Sequence, residues 1–136
     1  MKGPHAWGII AGAALLLATP LAAGADTYPS RPVHIVVGYA AGGSVDIICR
    51  IVADKLSQRM GQRFIVDNRP GGGTIIASQV VARSAPDGYT LMLADIAHGA
   101  NPALNEKLPY DTEKDFKPVV MVALLPAILA VEKSLP

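Results

Sequence analysis

The chain has 136 residues, 51% of them hydrophobic, and its 12 basic side chains nearly balance 11 acidic ones. The net charge is near zero and the sequence has no run of like charges, which argues against a nucleic-acid or membrane-surface partner. The single cysteine, Cys49, excludes an internal disulfide framework.

The amino-terminal segment, residues 1–25, has the three parts of an export signal in the right order. Lys2 supplies a positive charge, an uncharged run rich in Ala and Leu follows, and Ala23-Gly24-Ala25 provides the small residues that a signal peptidase reads. We expect cleavage after Ala25, which leaves a mature chain with equal numbers of acidic and basic residues outside the cytoplasm. An uncleaved membrane anchor is the alternative, and Pro20 argues against it.

The first strand and helix after the signal have the clearest patterns. Val33 to Val37 is a continuous, β-branched run that is typical of a strand covered on both faces. Apolar residues then recur at helical spacing from Ile47 to Leu56, and Gly61 ends the helix. His34 lies inside the strand and is expected to be a packed core residue.

The same order of elements then repeats. Arg63 to Asp67 predicts a second strand, Asn68 to Gly73 a glycine-rich turn, Ile76 to Ala82 a second helix and Tyr89 to Ala94 a third strand. This alternation predicts an α/β fold with a parallel sheet and right-handed crossovers. Ligands of such sheets bind at the carboxyl ends of the strands.

The loop from Gly38 to Asp46 follows the first strand and is the strongest candidate for a binding site. Gly42 and Gly43 let the backbone approach a ligand, and the first amides of the next helix attract a carboxylate or phosphate without any Lys or Arg. Ser44 is the expected N-cap and Asp46 lies in the first turn, so both residues also have a purely structural explanation. The loops at 68–74 and 95–101 lie at the same sheet edge.

Other loop chemistries fit these residues less well. Gly38 to Gly43 lacks the spacing of a dinucleotide fingerprint, and no Lys precedes Ser44 as a P-loop requires. A secreted serine hydrolase is an alternative, with Ser44 as nucleophile and Asp95 and His98 completing a triad, although Asp46 replaces the closing glycine of a nucleophile elbow. No His, Cys or carboxylate set has metal-ligand spacing, so neither a metal nor a cofactor is expected.

Short motifs also follow one another along the mature chain. They are Tyr28-Pro29-Ser30-Arg31-Pro32, Gly42-Gly43-x-x-Asp46, Val66-Asp67-Asn68-Arg69-Pro70-Gly71, Ala85-Pro86-Asp87-Gly88-Tyr89-Thr90-Leu91, Asn101-Pro102, and Leu108-Pro109-Tyr110-Asp111 followed by Lys114-Asp115-Phe116. Together and in this order they resemble the Bug family of periplasmic solute receptors, the binding component of tripartite tricarboxylate transporter systems. The resemblance spans essentially all of the mature chain.

The resemblance implies a two-lobed, type II-like periplasmic binding protein that closes over a small carboxylate and hands it to membrane permease subunits. Such a receptor does no covalent chemistry and is not an enzyme. Residues 26–136 would form its first, parallel-sheet lobe, incomplete and truncated before the second lobe. The implied ligand-binding residues lie in the loops after the first and third strands: Tyr39, Gly42, Gly43, Ser44, Asp46, Asp95, Ala97 and His98.

Two features depart from the family pattern. Tyr39 stands where family members commonly have Phe, and the loop from Asp95 to His98 is one residue shorter than usual. Family members are also much longer, and the apolar runs Val119 to Leu125 and Ala127 to Val131 are expected to be strands near the crossover into the second lobe. A truncated, non-functional remnant of a receptor is therefore an alternative to a working one.

Overall fold

The computed structural model describes residues 27–126 and 128–134. The expected signal peptide lies outside these residues, so export and cleavage after Ala25 stay predictions. The elements in chain order are β1 (Val33–Val37), α1 (Ser44–Met60), β2 (Phe64–Asn68), a 3₁₀ turn (Gly72–Thr74), α2 (Ile75–Ala82), β3 (Thr90–Leu93) and α3 (Ile96–Leu104). Among the described helices, none has the length and apolar character needed to span a bilayer.

The three strands form one parallel sheet in the order β2-β1-β3. β1 is central, with Val37 opposite Asn68 of β2 and opposite Leu93 of β3. The predicted α/β fold with a parallel sheet is therefore confirmed. Because all three strands run the same way, their carboxyl ends lie at one edge, where the loops after β1, β2 and β3 meet.

The core forms where α1 packs on the sheet. Three alternate residues of β1 pack with two small residues of α1 and with the first residue of β2. In that order, these buried residues are Val33, Ile35 and Val37, then Cys49 and Ala53, then Phe64. Small side chains on α1 let the helix approach the sheet closely. Cys49 behaves as a small apolar residue, and burial raises the pKa of its thiol to about 11.

His34 is not the packed core residue that its position inside β1 suggested. Strand alternation places it on the face opposite Val33 and Ile35, and it is exposed. Val36 shares that face and is buried, whereas His34 lies nearer the amino end of the strand. There it lines a shallow groove with Arg31 and Tyr89, at the edge opposite the candidate site.

The two apolar runs near the end of the described chain are not strands. Residues 119–126 and 128–131 have no regular secondary structure, and their side chains are exposed, with Leu124 at 79% and Ile128 at 86%. A strand needs a neighbouring strand for its backbone groups, and within the described residues the sheet contains only β1, β2 and β3. An apolar, β-branched pattern supplies the propensity for a strand but not this partner.

Candidate functional site

The loop that joins β1 to α1 leaves the start of the helix open. Gly42 has a φ of 89°, a conformation that favours glycine. Gly43, rather than the predicted Ser44, is the N-cap, with extended backbone and a carbonyl that accepts the first intrahelical bond at 2.9 Å. Ser44 is therefore the first residue of the helix. Its amide and that of Val45 have no acceptor inside the helix and are the donors available to an anion, whereas Asp46, the next residue, is buried.

Asp46 holds this loop in shape. The residue is 1% exposed, and its Oδ2 accepts bonds from the Gly42 amide at 2.8 Å and from Arg50 Nε at 2.9 Å. Its Oδ1 accepts from Asn68 Nδ2 at 2.9 Å. The bond from Arg50, then those from Gly42 and Asn68, keep the pKa of Asp46 well below its usual range. The carboxylate therefore positions the loop, and direct contact between Asp46 and a ligand stays a prediction.

Asn68, the last residue of β2, ties the second strand to the same loop. Its Nδ2 also donates to the Tyr39 carbonyl at 3.1 Å, and its Oδ1 accepts from Arg50 Nη2 at 3.0 Å. Sequence reasoning did not identify Arg50 or Asn68. The spacing of four residues between Asp46 and Arg50 on one helix was a signal for the ion pair, whereas the role of Asn68 depends on the sheet register.

A second link joins the ends of β1 and β3. The Tyr39 hydroxyl donates to Asp95 Oδ2 at 2.6 Å, and this bond is the main reason that the pKa of Tyr39 is raised to about 12. Asp95 Oδ1 accepts from the Ala97 amide at 3.1 Å and so caps α3. The segment that was expected to be a loop is therefore the start of a helix. The structure brings Tyr39, Asp95 and Ala97 together, and contact of these residues with a ligand stays a prediction.

The side chain of His98 has no described hydrogen bond to Tyr39 or Asp95 and instead packs against α2 and two aromatic residues. Its Nδ1 lies 2.9 Å from the Oγ of Ser78 in α2, and its ring packs against Tyr110 and Phe116 at centroid distances of 5.9 and 4.7 Å. Burial lowers the pKa of His98. Because His98 pairs with Ser78 and Asp95 pairs with Tyr39, the described contacts do not assemble the triad that the hydrolase alternative needs.

The glycine-rich turn after β2 closes against β1. Thr74 is buried and has a φ of 74°, which is costly for a β-branched residue, by about 1–3 kcal/mol. Asn101 Nδ2 holds the turn by donating to the Gly73 carbonyl at 2.9 Å and to Thr74 Oγ1 at 3.3 Å. A Cβ on Gly38 would lie 2.7 Å from the Cβ of Thr74, so the close approach requires glycine at 38.

Residues 48–136 match the family described as tripartite tricarboxylate transporter family receptor. The chain belongs to this receptor family. The matched range begins just after the loop that carries the candidate site. Similarity to a UPF0065 protein of Bordetella bronchiseptica includes the loop, with 47% identity over 124 residues, 90% of this chain and 37% of the relative.

Solved structures of receptor-family relatives share the fold. A periplasmic binding protein, BugD, has 36% identity and a TM-score of 0.64, and the match covers 67% of this chain and 30% of that one. MatC from Rhodopseudomonas palustris with bound malate has 40% identity and a TM-score of 0.64, over 68% of this chain and 32% of that one. The chain thus spans about a third of the length of these relatives. The predicted family membership and the parallel-sheet lobe of a periplasmic binding protein are confirmed.

Proposed function

We propose that this chain forms the first lobe of an extracytoplasmic solute receptor that binds a small organic carboxylate for a tripartite tricarboxylate-type transport system. One observation carries the proposal. The first amides of α1 have no side-chain cap and lie at the carboxyl edge of the sheet, in a loop that Asp46 stabilises through the Gly42 amide. A helix amino terminus of this kind holds a carboxylate through backbone donors and the helix dipole.

The negative charge of Asp46 does not oppose binding of an anion, although the lobe has no excess of basic residues. Its negative charge is paired with Arg50 at 2.9 Å and lies within the loop, on the side of the Gly42 amide. The positive end of the α1 dipole therefore faces the loop surface, while the acid that stabilises the loop is buried and fully hydrogen-bonded. Binding through Gly43, Ser44 and the following amide would need no basic side chain.

The relatives support a carboxylate as the ligand. MatC, which shares this fold at 40% identity, was solved with bound malate. Receptors of this kind bind solutes without covalent chemistry, so we expect no enzymatic turnover. Export to the periplasm after cleavage at Ala25, and delivery to permease subunits in the membrane, complete the proposal.

The test is thermal unfolding of the complete gene product with a panel of small mono-, di- and tricarboxylates. A ligand at 100 times its dissociation constant stabilises the folded state by about 2.7 kcal/mol and raises the midpoint temperature by several degrees. We expect such a rise for at least one acid, and none for sugars of similar size. A flat response across the whole panel would contradict the proposal.

A further inference from the structure

Tyr39 and Asp95 form a side-chain bridge between the segments that follow β1 and β3. Tyr39 leaves the end of β1 three residues before Gly42, and Asp95 follows β3, yet the hydroxyl and carboxylate lie 2.6 Å apart. The Tyr39 backbone is held in turn by Asn68 from the end of β2, at 3.1 Å. Because the carboxyl ends of parallel strands share one edge, the carboxylate of Asp95 lies at the same edge of the sheet as the start of α1.

The Asp95 carboxylate has accepting capacity left over. A carboxylate offers about four lone-pair sites. Tyr39 uses one on Oδ2, and the Ala97 amide uses one on Oδ1. Asp95 is partly exposed, and the described residues supply it with no Lys or Arg partner. It differs in this respect from Asp46, which is buried and paired with Arg50.

We propose that Asp95 makes the receptor selective for carboxylic acids that carry a hydrogen-bond donor, an ammonium or hydroxyl group, next to the carboxylate that α1 binds. This inference rests on the proposed function and names the class of its ligand. A donor group fills the free lone pairs of Asp95, whereas an acid without one leaves those lone pairs facing bare methylene groups. Tyr39 is the positioning residue, because its hydroxyl sets where the carboxylate of Asp95 lies.

The experiment is calorimetric titration of the complete gene product with three four-carbon dicarboxylates that differ at one carbon. Succinate carries no donor there, malate carries a hydroxyl and aspartate an ammonium group. We expect malate or aspartate to bind at least ten times more tightly than succinate, in line with the loss caused by an unpaired polar group in a site. Asp95→Asn keeps the oxygen that caps α3 but removes the charge, and should reduce the preference for aspartate at least fivefold.

Tyr39→Phe provides a second, milder variant that removes only the positioning hydroxyl. It should shrink the same preference. Asp87→Asn is the matched control, because Asp87 is an acid paired with Arg31 at the opposite edge of the sheet, and the preference should be unaffected.

The outcomes separate this inference from the proposed function. Equal binding of the three acids to the unaltered protein, or a preference that survives both Asp95→Asn and Tyr39→Phe, overturns the role of Asp95 while leaving a carboxylate receptor. Failure of every acid in the panel to bind overturns the proposed function and this inference with it.

Discussion

Replacing Ser44 by proline removes one backbone donor and the side-chain hydroxyl from the candidate site. Ser44 is the first residue of α1, so its amide has no acceptor within the helix. Proline is favoured at this position, and its effect on the preceding residue is harmless because Gly43 already has an extended ψ of 167°. We therefore expect the free energy of unfolding to change by less than about 0.5 kcal/mol.

The expected effect on binding is much larger. A hydrogen bond to a charged group contributes about 1.5–3 kcal/mol, and each 1.4 kcal/mol is a factor of about ten in affinity. If the Ser44 amide contacts the ligand carboxylate, Ser44→Pro should weaken binding by a factor of about ten to one hundred. Ser44→Ala keeps the amide and removes only the exposed hydroxyl, so its affinity should stay within about threefold of the original.

The assay is calorimetric titration of the complete gene product and both variants with the best acid from the panel, alongside thermal unfolding without ligand. Unfolding confirms that each variant keeps its structure. The reasoning is refuted if Ser44→Pro folds normally and binds as tightly as the original protein, because the open amide would then be no part of the site. Equal losses in Ser44→Pro and Ser44→Ala would instead point to the hydroxyl.

Three further predictions concern the residues that support the site. Gly38→Ala should destabilise the fold by about 1–3 kcal/mol in urea unfolding, since the new Cβ would collide with Thr74, and an unchanged midpoint would contradict this contact. The hydrogen bonds that lower the pKa of Asp46 stabilise the folded state at neutral pH, and this stabilisation is lost as the pH falls below the usual pKa of a carboxyl group. Acid should therefore destabilise the original protein more than it destabilises Asp46→Asn. Urea unfolding curves of both proteins at pH 7 and pH 3 test this. Tyr39 should titrate near its raised pKa of about 12 in tyrosinate absorbance, and Asp95→Asn should lower that value toward 10, with Tyr39→Phe identifying the signal.

The loop before α1 shows which parts of the local geometry could be predicted from the sequence and which could not. The open amides of α1 follow from a strand pattern, two glycines and a helix pattern in immediate succession, so the loop was recognisable from neighbours in the chain. The cap differs by one position, Gly43 instead of Ser44, because Gly43 supplies the extended backbone before the helix. The support from Asn68 to Asp46 spans 22 residues and was invisible in the chain order.

Alternating apolar runs and glycine turns set the order of strands and helices, because steric limits and hydrogen bonds between near neighbours act within a few residues. That local order already implies a parallel sheet with its loops gathered at one edge. Packing decided which polar groups find a partner within the protein. The register that puts Val37 opposite Asn68 brings the side-chain amide of Asn68 to the Asp46 carboxylate. At the same edge of the sheet, the Tyr39 hydroxyl meets Asp95. Neither pairing exists until the strands are side by side, since the residues involved lie far apart along the chain.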